Sequence, residues 1–300
     1  MNKLPNFLII GAAKCGTTSL YNYLGQHPEV FLSPLKETNF FVQKGKKIDF
    51  KGPKDNLYNH LTITDIGDYN NQFSDVFDEK AIGEICPSYL YREDAPKNIK
   101  EHIPKVKIIA ILREPVARAF SAWVHLTRNG EEYLSFDDAL LNEPRRIKAN
   151  WREIWHYQEM SKYYEQLKRY YDSFPKENIK VFIYEEFKDN PLKTYSEICS
   201  FIDVDTSFIP ETGIKHNTGK IPKNAYLHKV YFIIVFFKNI LTFLISDNYL
   251  STLKRCYNRL FFYEKPKLSD ADILKYKRIF EKDIKMLEQL IDIDLSIYKA

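Results

Sequence analysis

Cysteine is scarce in this 300-residue sequence, and its spacing excludes two kinds of stabilised fold. The four cysteines, Cys15, Cys86, Cys199 and Cys256, are scattered, and none belongs to a Cys-x-x-Cys pair. This spacing contains neither a zinc cluster of cysteines nor a disulfide framework. It favours a reducing compartment, so we expect a cytoplasmic protein.

Glycine and proline are also few, at 10 and 14 residues, and no Gly-rich or Ser-rich run marks a flexible linker or an internal repeat. Hydrophobic residues make up 44% and charged residues 28%, which excludes a disordered or collagenous chain. We expect one domain over residues 1–300. Within it we expect a hydrophobic helical insertion at 226–262 and a C-terminal helical region at 263–300.

The sequence has no apolar run long enough for an ordinary transmembrane helix. Residues 230–246 come nearest, but Lys238 and Asn239 interrupt them, and a spanning helix needs roughly 20 apolar residues. Two interpretations stay open for this segment. It forms either a buried or interface helix, or a peripheral contact with a membrane surface.

Neither sign of charge dominates the chain. It has 44 basic and 40 acidic residues, for a formal net charge of +4. An excess this small and diffuse does not fit an obligate duplex-DNA binder, whereas local basic pockets are compatible with it. We therefore expect no nucleic-acid partner.

Strand-like apolar runs alternate with helix-like segments along most of the chain. The predicted strands are Phe7–Ile10, Ala81–Ile85, Lys107–Leu112 and Ile179–Tyr184. The predicted helices are Thr17–Gln26, Pro115–Thr127 and Pro191–Phe201. Unbroken apolar strands that alternate with helices predict an α/β fold, in which helices flank a central parallel sheet of the P-loop type and the chain ends in helices. The polar stretch 44–71 is expected to form surface loops.

The segment Gly11–Ser19, GAAKCGTTS, stands between the first predicted strand and the first predicted helix. Glycines at both ends allow a tight turn, so that the N–H groups of Gly16 to Thr18 converge. The N-terminus of the following helix adds about half a positive charge. These features predict a phosphate-binding loop.

The loop differs from that of nucleoside-triphosphate enzymes, Gly-x-x-x-x-Gly-Lys-Ser/Thr. Gly11, Gly16 and Thr18 match, but Thr17 takes the place of the lysine. In triphosphate enzymes a second strand ends in an aspartate that helps to hold Mg²⁺, whereas the corresponding predicted strand here ends in Arg113. This arginine indicates a second anion site. A nucleotide kinase or NTPase remains an alternative.

Several motifs, in the same order, resemble those of sulfotransferases that use 3′-phosphoadenosine 5′-phosphosulfate (PAPS). The chain resembles a bacterial-type member of this family and is similar to its carbohydrate and heparan sulfate branch. The matching segments are Lys14–Ser19, Lys36–Phe41, Gly83–Leu90, Ile108–Ser121 and a closing helix that ends in Asp294–Tyr298.

The resemblance implies where PAPS binds. The residues implied for the 5′-phosphosulfate are Lys14, Cys15, Gly16, Thr17, Thr18 and Ser19. Arg113 and Ser121 are implied for the 3′-phosphate, and Lys220 and Lys223 are candidates for a basic loop that folds over the nucleotide. The implied reaction moves a sulfuryl group to a hydroxyl of a carbohydrate or glycolipid, releases adenosine 3′,5′-bisphosphate and needs no metal.

Two residues are predicted to be catalytic. Lys14 is placed to stabilise charge on the oxygen that leaves sulfur, and the alternative is that it only neutralises bound phosphate. Glu37 matches the glutamate that acts as general base in carbohydrate sulfotransferases, and the alternative is a solvated partner of Lys36. Glu84 is a second candidate base, with a role in orienting loops as its alternative.

Other side chains receive structural interpretations. Arg118 shares a helix face with Ser121 and is expected to pair at the surface. None of His27, His60, His102, His125 or His156 has the context of a catalytic base. A third hypothesis for the whole chain is a nucleotide-binding module that has lost catalysis.

Overall fold

A computed structural model describes residues 3–212, 221–222, 262–263 and 266–299. The main sheet has five parallel strands in the order β2-β3-β1-β4-β5. These strands are β1 Phe7–Gly11, β2 Val30–Leu32, β3 Ala81–Ile85, β4 Lys107–Leu112 and β5 Ile179–Ile183. A separate two-stranded antiparallel sheet joins β6 Ile221–Pro222 to β7 Phe262–Tyr263.

Helices precede and follow the strands of the main sheet. They are α1 Thr17–Leu24, α2 Phe40–Gln43, α3 Asp55–Leu61, α4 Ile66–Asn71, α5 Ser88–Tyr91, α6 Ala95–His102, α7 Pro115–Arg128, α8 Phe136–Lys148, α9 Tyr163–Ser173, α10 Tyr184–Asp189, α11 Pro191–Phe201, α12 Asp270–Ile291 and α13 Ser296–Lys299. Short 3₁₀ turns lie at Glu153–Trp155, Glu159–Ser161 and Lys176–Asn178. In the described part of the chain, no helix has the length and hydropathy needed to cross a bilayer.

The predicted parallel α/β sheet is confirmed by the strand pairing, and its central strands are buried on both faces. All five residues of β1 and all five of β3 are buried, as are the last five of β4. The three-residue strand β2 was not predicted, because so short a run has no recognisable period. The hydrophobic insertion at 226–262 and the apolar segment 230–246 lie outside the described residues, except for Phe262.

The expectation that residues 44–71 form only loops is wrong, because the stretch contains α3 and α4. Asp65 caps α4 by accepting hydrogen bonds from the amides of Gly67 and Asp68. Asp55, fully buried at the start of α3, accepts from the Gly52 amide and from Arg152. A carboxylate cap such as that of Asp65 stabilises a helix too short and polar to show an apolar period.

The topology brings several loops to one edge of the sheet. β1 lies at the centre, and the chain passes first to the β3 side and then to the β4 side. The reversal therefore falls between β1 and β4. In open α/β sheets ligands bind beyond the carboxyl ends of the strands at such a switch point, which is where the loops after Gly11 and Leu112 lie.

Candidate active site

The loop between β1 and α1 adopts a backbone that leaves amides free at its end. Lys14 and Gly16 have positive φ angles of 72° and 84°. The amides of Gly16, Thr17 and Thr18 have no backbone acceptor among the described residues. These amides stand at the positive end of α1, where a phosphate or sulfate group is held by N–H donors. The predicted anion loop therefore has the local geometry of an anion site.

Glycine at position 16 is required by space as well as by backbone angle. A Cβ atom there would lie 2.8 Å from Cε1 of Phe187 and 3.1 Å from the ring of Tyr184. The loop is thus seated against the segment that follows β5.

Cys15 contributes to the loop through its backbone, because its side chain faces the interior. Its amide donates to the Ala12 carbonyl at 3.3 Å, and its side chain is fully buried. Burial raises the pKa of the Cys15 thiol to about 12, so the thiol stays protonated at neutral pH.

Arg113 lies against the loop, so Lys14 and Arg113, the two cations predicted to bind the phosphate groups, belong to one site. Its Nη1 donates to the Lys14 carbonyl oxygen at 3.2 Å, and its guanidinium lies 4.8 Å from the centre of the Tyr184 ring. The Tyr163 hydroxyl holds the Arg113 carbonyl at 3.0 Å. The Nε of Arg113 is buried and has no hydrogen-bond partner among the described residues.

Helix α7 extends from Arg113 past the loop. Glu114 caps it by accepting from the amides of Val116 and Ala117, and Pro115 occupies its first position. Ser121 is half-buried on this helix, and its hydroxyl has no hydrogen-bond partner in the described part of the chain.

The side chains of Lys14, His125 and Arg128 lie near one another, which the sequence interpretation missed. Burial lowers the pKa of Lys14 to about 8, and the charge of Arg128 adds to this effect. Burial, followed by Lys14 and Arg128, lowers the pKa of His125 to about 3, so this ring is neutral at pH 7. Arg128 also approaches Nδ1 of His125 at 3.4 Å. The i and i+4 spacing of Ser121 and His125 on one helix face was the available signal.

The surface pairing expected for Arg118 is wrong, because this side chain is fully buried. Its Nε donates to Ser161 Oγ and its Nη2 to the Tyr157 carbonyl, both at 2.6 Å. The 3₁₀ turns that follow α8 cover this part of α7, a packing that the local sequence does not reveal.

Glu37 is connected to the anion loop through Lys36. The Lys36 ammonium lies 2.7 Å from Glu37 Oε1 and donates to Thr18 Oγ1 at 3.2 Å. The Glu37 amide donates to the carbonyl of Ile85 at the end of β3. The Glu37 carboxylate stays accessible, with 45% of its side chain exposed. Its negative charge raises the pKa of Lys14, against burial and the neighbouring cations, so the carboxylate lies within electrostatic reach of the Lys14 ammonium.

Glu84 lies in the interior, beneath the segment that carries Glu37. It is fully buried and accepts hydrogen bonds from the hydroxyls of Thr38, Tyr69 and Tyr89. Burial raises the pKa of Glu84. These contacts match the orienting role, since Thr38 directly follows Glu37.

The predicted nucleotide-covering residues Lys220 and Lys223 lie outside the described residues. Between them, β6 passes close to α7. The backbone of Ile221–Pro222 therefore comes near the helix that carries Ser121.

The residues present fit a nucleotide with two anionic groups. Lys14, Arg113, Arg118 and Arg128 form no ion pair with any carboxylate that the structure describes. Cations gathered without acidic partners indicate an anionic ligand. In the same described residues, no group of three or more His, Cys, Asp or Glu side chains is arranged to hold a metal ion.

A cavity of about 440 Å³ lies beyond the C-terminal end of α7. Its lining includes Glu131, Leu134, Asn142, Arg145 and Trp151. Arg128 is the last residue of α7, but no predicted site residue that the structure describes lines this cavity.

One solved structure matches nearly the whole chain. A sulfotransferase from Alicyclobacillus acidocaldarius is 32% identical and superposes with a TM-score of 0.79. The match covers 99% of this chain and 100% of that one.

Curated relatives share only part of their length with this chain. The human bifunctional heparan sulfate N-deacetylase/N-sulfotransferase 3 is 27% identical over 215 residues, which are 68% of this chain and 23% of the relative. The membrane-associated sulfotransferase kil1 of Dictyostelium discoideum is 26% identical over 172 residues, 55% of this chain and 34% of the relative. A model described as the sulfotransferase family matches residues 5–208. The chain belongs to the sulfotransferase family.

Proposed function

We propose that this protein transfers a sulfuryl group from PAPS to a hydroxyl of a carbohydrate or glycolipid acceptor. The observation that carries the proposal is the contact between Arg113 Nη1 and the Lys14 carbonyl, which joins two unpaired cations at the switch point of the sheet. PAPS carries its 5′-phosphosulfate and its 3′-phosphate at separate points, so it needs two such cations in one cleft.

The proposal assigns the nucleotide to residues of the loop and of α7. The free amides of Gly16, Thr17 and Thr18, with the Ser19 hydroxyl and the backbone at Cys15, hold the 5′-phosphosulfate. Arg113 and Ser121 hold the 3′-phosphate, and the unpartnered Nε of Arg113 supports this because a buried N–H needs an acceptor. Lys220 and Lys223 remain proposed contacts from the loop around β6.

Lys14 and Glu37 have separate catalytic roles, one toward the leaving group and the other toward the acceptor. Bound PAPS supplies the sulfuryl group and a phosphate leaving group. Lys14 stabilises the negative charge that develops on the leaving oxygen. This interaction lowers the barrier more than it strengthens ground-state binding. Glu37 takes the proton of the attacking hydroxyl, for which its exposed carboxylate is accessible. Lys36 holds Glu37 beside Thr18, and so beside the loop.

A carbohydrate acceptor is supported by the relatives and by the cavity. Heparan sulfate, a carbohydrate, appears in the name of the human relative. The cavity beyond the C-terminal end of α7 offers the Trp151 indole, the Asn142 amide and the Arg145 guanidinium, a mixture of apolar face and polar groups that suits a glycan.

We also propose a cytoplasmic location, with peripheral membrane contact through residues 230–246. Buried free thiols at Cys15, Cys86 and Cys199 are compatible with a reducing compartment. The name of the Dictyostelium relative, a membrane-associated sulfotransferase, supports the membrane contact.

The function is tested with radiolabelled PAPS and a panel of glycans and glycolipids, with products identified by mass spectrometry. We expect transfer by the wild type and a kcat about 10²-fold to 10⁴-fold lower for Glu37→Gln, because a general base contributes that range. The KM for PAPS should change little. Glu101→Gln, at an exposed site on α6, is the matched control. Wild-type kcat in Glu37→Gln would remove Glu37 as the base, and the absence of transfer by the wild type to any acceptor would refute the proposed reaction.

A further inference from the structure

Arg118 is a buried cation without a compensating charge. Its side chain is 0% exposed, and no carboxylate of the described residues forms an ion pair with it. Two of its nitrogens bond to the neutral oxygens of Ser161 and Tyr157, while Nη1 has no partner among the described residues. An unpaired charge in a protein interior lowers stability unless an opposite charge is supplied.

The position of Arg118 connects it to the anion loop. It lies on α7, five residues after Arg113, and its positive charge lowers the pKa values of both Lys14 and Cys15. Two loop residues therefore lie within reach of its electric field. Glu143 is an acidic group that acts on Arg118, but its carboxylate is engaged by the amides of Gln158 and Glu159.

We propose that Arg118 is an internal cation of the nucleotide site, whose charge is balanced by the anion that binds on the loop at Lys14–Thr18. It is a positioning residue, since it strengthens binding through space and through the loop without contacting the nucleotide. This inference rests on the proposed function, because it takes the bound anion to be the phosphosulfate or phosphate end of an adenosine nucleotide.

A purely structural role for Arg118 makes the opposite prediction about stability. The Ser161 hydroxyl also donates to the Tyr157 carbonyl at 2.9 Å, so these two groups stay bonded to each other when the guanidinium is removed. An uncharged side chain of similar length then leaves no orphaned acceptor and removes an unbalanced charge. The free protein should therefore be at least as stable without Arg118.

The test measures two quantities for the wild type, Arg118→Met, Arg118→Lys and Ser161→Ala. Calorimetry gives the dissociation constant of adenosine 3′,5′-bisphosphate, and thermal unfolding gives the Tm of the free protein. We expect Arg118→Met to bind the bisphosphate about tenfold more weakly, with a Tm equal to or above that of the wild type. Arg118→Lys, which keeps the charge, should recover most of the affinity. Ser161→Ala, which keeps Arg118, should bind like the wild type.

Three results would overturn the inference. They are an Arg118→Met protein with wild-type affinity, one that fails to fold, and an Arg118→Lys protein as weak as Arg118→Met. If the wild type itself does not bind the bisphosphate, the proposed function is refuted and inorganic sulfate becomes the probe of the loop. Weaker sulfate binding by Arg118→Met would then still support the inference, whereas equal sulfate binding would overturn it.

Discussion

Lys14 holds its proton less tightly than an exposed lysine does, because it is buried near other cations. Burial and the charges of Arg128, Arg113 and Arg118 lower its pKa from 10.5 to about 8, against the opposing charge of Glu37. At neutral pH most molecules still carry the ammonium. A bound phosphate group favours the charged form, so nucleotide binding and protonation of Lys14 are coupled.

This coupling predicts a pH dependence for the bisphosphate complex. Affinity should be nearly constant around pH 7 and should fall by up to about tenfold per pH unit above pH 8, because the free enzyme then loses the Lys14 proton that the complex retains. Calorimetry from pH 7 to 9.5 measures this slope. Lys14→Met should bind weakly with no such slope, and a flat profile in the wild type would contradict the assigned role of Lys14.

Short sequence motifs predicted some of the site residues but not others. Lys14, Arg113 and Glu37 were predicted from short patterns, since each lies directly after a strand or within a loop of fixed spacing. The burial of Arg118 was not predictable, and the spacing of Ser121 and His125 placed these two residues on one helix face without showing that His125 lies near Lys14. Both depend on segments distant in the chain, and no local period encodes those contacts.

Among the elements, α12 acts as a brace for the nucleotide side of the molecule. Ser269 caps it by accepting from the Asp272 amide. Near its other end, Asp283 accepts hydrogen bonds from the amides of Tyr163 and Tyr164, at 2.8 and 3.2 Å, and so caps α9 from outside. Because the Tyr163 hydroxyl holds the Arg113 carbonyl, α12 supports the anion site through α9.

Removal of this external cap should be measurable. Asp283→Ala orphans two helix amides, and we expect it to lower the free energy of unfolding by about 1–2 kcal/mol. Chemical denaturation measures the loss. Asp283→Asn, which keeps an acceptor oxygen, should lose less, and equal losses in the two variants would show that the hydrogen bonds are not the cause.

Asp283 also makes the stability of the wild type depend on pH. Burial raises the pKa of Asp283 from 3.8 to about 6, so the folded protein binds more protons than the unfolded chain between these values. This group therefore makes stability decrease as pH rises through that window. Asp283→Asn should remove this part of the slope.

Elements were predictable where they carry a strong apolar pattern. β3, β4 and α11 have the predicted bounds, and β1, α1, α7 and β5 differ at their ends. The helices α3 and α4 were missed because both are short and polar, and the start of α4 is marked by the Asp65 cap and not by an apolar face. The three-residue β2 is fixed by pairing with β3, a contact that lies across about 50 residues of chain and has no local signal.

At the scale of the whole molecule, the site is made by strand order. The loops after β1 and β4 are adjacent because these strands are parallel neighbours, and the order in which strands are added to the sheet changes side between them. The Glu37 segment joins them because its amide bonds to the last residue of β3. One sheet edge thus gathers the anion loop, the second cation and the carboxylate from a stretch of sequence in which Lys14 and Arg113 are 99 residues apart.

The central claim is that one bound nucleotide reaches both the Lys14 loop and Arg113. The most direct measurement is a calorimetric cycle with adenosine 3′,5′-bisphosphate and adenosine 5′-monophosphate, on the wild type and on Arg113→Met. We predict that the wild type prefers the bisphosphate by at least about tenfold, as expected for a charge-assisted contact, and that Arg113→Met binds the two ligands almost equally. A preference for the bisphosphate that survives in Arg113→Met would contradict the claim.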